Sequence, residues 1–282
     1  MVIQERLERP ADTPHPSTDA RWHGAKIATQ LSVLTGRQLR SVYSSRRLVV
    51  FSLLQPVIML LLFSQVFGSM ADPADLPHGV RYIDYVVPAL LITTGIASAQ
   101  AAGVGLVGDM NNGMVARFRV LPTRLSLVLV ARSLADLFRV ATQLCVLLVV
   151  AYVVLDFHPA GGLPGTAAAL ILTLFVIWSL IWGFIALAAW LRGVELIASI
   201  AALVMFPLTF VSSAFVPLSA LPEWLRWVAH LNPVTYAVEG SRRLALGWDP
   251  GWSVPGSLAT GVAFMSLAVC VAVRAFRRPP NE

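Results

Sequence analysis

Four polar side chains stand inside long apolar runs of this chain: Gln55, Thr93, Thr94 and Gln100. An amide or hydroxyl in such a place either meets a solute in a cavity or hydrogen-bonds a neighbouring helix, and both readings apply to all four. Asp136 and Arg139 form an i,i+3 pair on one helical face, so the two charges partly compensate each other near a membrane boundary and act as an anchor. Glu223, Glu239 and Asp249 gather in one late segment, where they suit solvent or headgroups better than acid–base work. A proton-coupled pump would bury carboxylates near mid-span, whereas Asp84, Asp136, Asp156 and Glu195 all fall near the ends of apolar runs. The five histidines, at positions 15, 23, 78, 158 and 230, are scattered, and HExxH does not occur, so no metal site is expected. GxxxxGK[ST] is missing too, and Lys26 has no glycine-rich loop before it, so the chain has no phosphate-binding loop of the common ATPase type. Cys145 and Cys270 lie in apolar runs and read as small buried hydrophobes rather than a disulfide framework. With no metal or nucleophile constellation, a membrane-bound enzyme is disfavoured.

The elements that must position these groups follow from composition. Of 282 residues, 57% are hydrophobic and 13% charged, and the mean hydropathy is +0.72. Soluble domains carry about 25% charged residues. A chain solvated largely by lipid needs fewer, and this length suits about six spanning helices of roughly 20 apolar residues each. The net charge is +6, with Lys26 the only lysine. The arginine clusters flank apolar runs, which points to an orienting charge bias rather than to a nucleic-acid-binding face.

Residues 1–23, with Pro10, Pro14 and Pro16, read as a disordered tail. Over 24–48, Ile27, Leu31, Leu34, Leu39 and Val42 recur at helical spacing between basic residues, as in an amphipathic helix lying in the membrane interface. The spans are expected at 49–68, 85–107, 134–155, 166–190, 194–216 and 256–273. The first long apolar stretch begins near Val49, so insertion is expected to rely on that span itself. Pro56 within it is tolerable if a neighbour satisfies the carbonyl it frees. The second span is rich in Gly, Ala, Ser and Thr, which permit close helix approach or line a path. Residues 217–253 are too polar for a plain span and too apolar for a free loop; their tryptophans suit an interface, and one or two short re-entrant helices are expected there. The fold class is therefore all-α: a polytopic membrane protein with six transmembrane helices, an amphipathic N-terminal interface helix and short re-entrant helices before the last span.

With six spans and both termini on one side, sixteen Lys or Arg fall on that side and four on the other. Arg139 lies within a span. Basic residues near span ends collect on the cytoplasmic face, so both termini are expected in the cytoplasm.

Two stretches carry a family likeness. Residues 113–139, GMVARFRVLPTRLSLVLVARSLADLFR, resemble the loop after the second span of ABC-2 type export permeases, and the ARFR..P..R......AR..AD form is most similar to the daunorubicin/doxorubicin-resistance (DrrB-like) branch. Residues 215–247, with Pro217, Pro222–Leu225, Asn232–Thr235 and Arg242, resemble the same family's segment before the last span. The likeness covers roughly 40–275, and the two motifs together are fairly specific. Many wider family members carry an acidic residue in a run resembling GTLE; here Gly113, Met114, Val115 and Ala116 precede Arg117, a departure that favours the drug-resistance-like branch.

The resemblance implies a permease of about 49–275 in an ATP-driven exporter that moves a hydrophobic or amphipathic, drug-like or natural-product compound out of a bacterial cell across its inner membrane. It implies two copies of a separate ABC ATPase subunit, which bind ATP and Mg, no cofactor in this chain, and a second permease subunit forming a homodimer among membrane lipids, without nucleic acid. Coupling to the ATPase falls to residues 109–125, with Met114, Arg117, Phe118, Arg119 and Pro122; Arg117 and Arg119 face acidic ATPase residues or anionic headgroups. The cavity, between the permease subunits and lined by spans one, two and five, would use Gln55, Thr93, Thr94 and Gln100. Pro217, Pro222, Trp224, Asn232, Pro233 and Arg242 would shape an outer gate, Asn232 and Pro233 by organising a turn or helix start. Rival readings are an ABC-2 exporter of a lipid or lipid-linked glycan, and an ion-coupled secondary transporter, whose mid-membrane acids or inverted repeats are not evident.

Overall fold

The computed structural model describes residues 27–44, 46–67, 80–112, 125–191, 193–210 and 222–277. The expected tail, the coupling residues Met114, Arg117, Phe118, Arg119 and Pro122, and the gate residue Pro217 lie outside them.

The described residues are helical, without a strand. Helix α1 (Ile27–Ser44) leads into α2 (Arg46–Leu62), which closes on a π-helical turn, Phe63–Phe67. Then come α3 (Tyr82–Asn111), α4 (Leu125–Val154) and α5 (Gly162–Leu191), of 30 residues each. The chain continues through α6 (Val194–Phe210), the short α7 (Glu223–Leu231) and α8 (Pro233–Leu246), and α9 (Ser253–Arg277). Among the described residues four stretches are long and apolar enough to cross a membrane: Tyr82–Asn111, Ser126–Val154, Gly162–Leu191 and Ser253–Ala275. Val50–Val66 and Val194–Val204 are shorter apolar helices. The chain is a multi-pass, all-α membrane protein.

At 1.5 Å per residue a 30-residue helix runs about 45 Å, well beyond a hydrocarbon thickness of about 30 Å. Helix α4 therefore begins ahead of the third span expected at 134–155. Helix α4 begins at Leu125, so Arg132 belongs to it rather than to the preceding loop, and Asp136 and Arg139 lie towards its middle instead of at an end. The reason is that polarity marks where lipid stops, whereas a helix continues until its backbone is broken, and LSLVLVARS contains neither Gly nor Pro.

Helix α5 is the hub, packed against α3, α4, α8 and α9. Its Ile177, Ile181 and Ile185 are fully buried at four-residue intervals. The small residues of α3 serve both readings, on two faces. A Cβ on Gly95 would fall 2.4 Å from the Ile177 side chain, and one on Gly103 would fall 3.0 Å from the Phe184 carbonyl, so these glycines let α3 and α5 meet closely. Thr93, Thr94, Ala97, Ser98 and Ala101 face a cavity instead. Helix α1 lies on α4 through the stripe Leu31, Leu34, Thr35, Leu39, leaving Ile27 and Val33 exposed. Cys145 and Cys270, expected in the interior, are exposed on α4 and α9. An apolar run does not reveal which face meets protein and which meets lipid, since both are apolar.

Candidate functional site

A cavity of about 430 Å³ lies between α2, α3, α4 and the end of α6. Its apolar wall comes from Pro56, Met59 and Phe63 of the first apolar helix and from Leu90, Ala97 and Ala101 of α3. Ser52, Gln55, Thr93, Thr94, Ser98, Gln143 and Thr209 supply neutral polar groups, and among the described residues Arg139 is the one charged side chain in the lining. The hydroxyl of Thr93 donates to the Leu90 carbonyl one turn back (3.2 Å), so it is already satisfied within α3.

Gln143 ties this region together. Pro56 lacks an N–H, which frees the carbonyl four residues earlier, that of Ser52. The Gln143 amide donates to that carbonyl at 2.9 Å, and its oxygen accepts from the Ser98 hydroxyl at 2.7 Å. One side chain thus supplies the partner that a proline in a span requires and joins α2, α3 and α4.

One turn earlier, Arg139 Nη2 donates to the Ser98 carbonyl (3.1 Å) and lies 3.6 Å from Asp136 Oδ1. Asp136 Oδ2 accepts from Arg132 Nε at 3.0 Å, and Arg132 Nη1 reaches Asp109 near the end of α3. Gly105 makes room, since a Cβ there would sit 2.6 Å from the Arg132 guanidinium. Both Asp136 oxygens therefore face guanidinium groups, an arrangement for holding helices rather than relaying protons. The chain of contacts from Asp109 to Ser52 joins the end of α3, which precedes the expected coupling residues, to the cavity.

A second cluster organises the opposite end. Arg242 of α8 is 1% exposed, donates through Nε to the Tyr85 carbonyl (3.1 Å) and through Nη1 to Glu239 (3.1 Å), and lies 3.7 Å from the centroid of the Tyr85 ring. Glu239 also accepts from Arg243 at 2.9 Å. Asn232 caps α8, its side-chain oxygen accepting from Val234 N at 2.9 Å, with Pro233 in the first turn. Gly247 closes the helix in the left-handed conformation (φ 68°), and Trp248 N returns to the Arg243 carbonyl at 2.8 Å. Beside this, Arg81 bridges Asp84 (2.9 Å) and Asp156 (3.0 Å), pinning the α4–α5 turn to the start of α3. The hydrogen bond that Arg81 donates to the Asp84 carboxylate, opposed by desolvation, raises the Arg81 pKa above its ordinary value.

Of the residues expected to line a cavity between permease subunits, Gln55, Thr93 and Thr94 line this cavity within one chain, while half-buried Gln100 does not. Among the expected gate residues, Asn232 and Arg242 are buried, and Pro222 and Trp224 are exposed just ahead of α8. Sequence reasoning missed Gln143 and Arg139 as cavity residues. The available signal was their i,i+4 spacing in a run expected to be apolar.

Residues 29–246 match the ABC-2 type transporter family, and the chain belongs to it. It is similar to the daunorubicin resistance ABC transporter permease protein DrrB1 of Streptomyces coeruleorubidus, at 26% identity over 79% of this chain and 77% of that protein. The probable doxorubicin resistance ABC transporter permease protein DrrC of Mycobacterium tuberculosis is 27% identical over 86% of this chain and 85% of its own length. The inner membrane transport permease YadH of Escherichia coli is 26% identical over 74% and 80%. The chain is thus a transport permease of a family that works with ABC ATPases, and not itself a catalytic ATPase.

Proposed function

We propose that this chain is the membrane subunit of an ATP-driven exporter that moves a hydrophobic or amphipathic compound out of a bacterial cell. The observation that carries the reading is the cavity between α2, α3, α4 and α6, with an apolar wall and a polar floor, in a chain of the ABC-2 family. The two drug-resistance relatives support a drug-like or natural-product cargo.

In this reading the protein spans the inner membrane six times, α2 and α6 supplying the first and fifth crossings, with both termini in the cytoplasm. Helix α1 lies in the interface, and α7 and α8 re-enter the outer half, where exposed Trp224, Trp227 and Trp252 meet headgroups. Residues 109–125, including Met114, Arg117, Phe118, Arg119 and Pro122, dock on the ATPase. Two permease copies pair with two ATPase copies, which bind ATP and Mg; this chain holds no cofactor. The ladder Asp109–Arg132–Asp136–Arg139 couples docking to the cavity, and α8, fixed by Asn232, Pro233 and Arg242 with Pro217, Pro222 and Trp224 ahead of it, shapes the outer gate. The cycle is alternating access, without a covalent step on this chain.

The test is ATP hydrolysis by the chain co-purified with the ATPase encoded beside it, reconstituted in lipid and challenged with hydrophobic drugs, lipids and glycan-lipids. Stimulation by the drugs supports the reading. Stimulation by glycan-lipids alone moves the protein to the glycan branch, and an intact permease that binds no ABC ATPase overturns it.

A further inference from the structure

The charge in the cavity narrows the cargo. Among the described residues Arg139 is the only ionised side chain in the lining, and no carboxylate shares the lining with it. Among the described residues its compensation is incomplete: its guanidinium meets the Ser98 carbonyl at 3.1 Å and Asp136 at 3.6 Å, both through Nη2. Asp136 is held more closely by Arg132, at 3.0 Å, and Nε of Arg139 is buried with no partner among the described residues. A cation in an apolar bundle is costly unless something completes its shell, and a guanidinium binds carboxylate or phosphate oxygens through paired donors. Arg242 shows what completion looks like, with a carboxylate, a carbonyl and an aromatic face around one buried guanidinium. At Arg139 it is Nη1, which is not buried and makes no hydrogen bond among the described residues, that remains for the cavity, and the nearby wall of Pro56, Met59 and Phe63 suits a hydrocarbon or ring system.

We propose that Arg139 is the specificity-determining residue of the cavity and that the ligand is an amphiphile with an anionic head, carboxylate or phosphate, which the guanidinium receives while the apolar body lies against α2. This rests on the exporter reading only in taking the cavity as the cargo site. The anion belongs either to the cargo or to a resident anionic lipid, and the chemistry is the same.

The experiment uses the full chain in nanodiscs of uncharged phosphatidylcholine, with a fluorophore-tailed dodecanoic acid, its methyl ester and the matching amine as probes. The acid is expected to bind about tenfold more tightly than ester or amine, the ratio of one charge-assisted hydrogen bond. Arg139→Gln should bring acid and ester to equal affinity, and Arg139→Lys should keep part of the preference. Equal binding of acid and ester by the wild type, or a preference that survives Arg139→Gln, overturns the proposal. If Arg139→Gln does not assemble, the wild-type comparison decides alone. Ala97→Trp, which fills the cavity, separates the two readings. Probe binding that survives it argues against the cavity as cargo site, whereas binding that it abolishes but that never depended on the head group sinks only the role of Arg139. Adding phosphatidylglycerol to the discs identifies the source of a supported preference: competition with the acid points to a lipid, and undiminished binding to a cargo.

Discussion

Two arginines inside one apolar bundle are treated in opposite ways. Arg242, where α8 meets α3, is 1% exposed and surrounded by Glu239, the Tyr85 carbonyl and the Tyr85 ring. Arg139, where α4 meets α2 and α3, keeps 27% of its side chain exposed and leaves Nε without a partner among the described residues. The same contrast holds for the helices around them. Helices α3, α5, α8 and α9 interlock through glycines set against large side chains, whereas α2 shows Val50, Phe51, Leu54 and Ile58 to its surroundings and rests on α4. A saturated charge is a clamp. An unsaturated one beside a cavity has donors left for a ligand, and a weakly packed helix there can move at small cost.

The largest expected effect tests the clamp. Arg242→Ala should lower the unfolding free energy by about 3 kcal/mol, because Glu239 loses a partner and the Tyr85 carbonyl its donor; thermal unfolding of the purified chain would read this as a fall in Tm. Next, Gly103→Val places carbon against the Phe184 backbone and should cost about 2 kcal/mol, seen as a lower Tm and loss of monodisperse protein in detergent. On the open side, Gln143→Leu should cost only about 1 kcal/mol. It should raise hydrogen exchange in α2 well above that in α5, because the Ser52 carbonyl loses the donor that Pro56 made necessary. Asn232→Ala should likewise cost about 1 kcal/mol, through fraying at the start of α8 that hydrogen exchange would localise. The smallest change in stability is expected for Arg139→Gln, within about 1 kcal/mol, the worth of its hydrogen bond to Ser98, since Asp136 keeps Arg132. An equal loss of Tm in Arg139→Gln and Arg242→Ala would break the comparison; a near-silent Arg139→Gln that alters binding would sharpen it.

The sequence by itself determined the solvent and the class. Low charge and long apolar runs require lipid, and the motif around Arg117–Arg139 together with that around Pro217–Arg242 pointed to the family to which the chain belongs. Helix-end chemistry was readable where it is local: Asn232–Pro233 announces the start of α8 because the cap is made within three residues. Tertiary structure decided everything that depends on which faces meet. Gln55, Thr93 and Thr94 were singled out as polar residues in apolar runs, but only packing separated them from Gln100 and added Arg139 and Gln143 from α4. It also divided the small residues of α3 between a close contact with α5 and a cavity wall, and turned Cys145 and Cys270 outward. The physical reason is that lipid and protein interior are equally apolar. In water the hydrophobic pattern of a helix points to its partner; in a bilayer it points only to the membrane, and the partner is chosen by shape and by the few polar groups that must find one another.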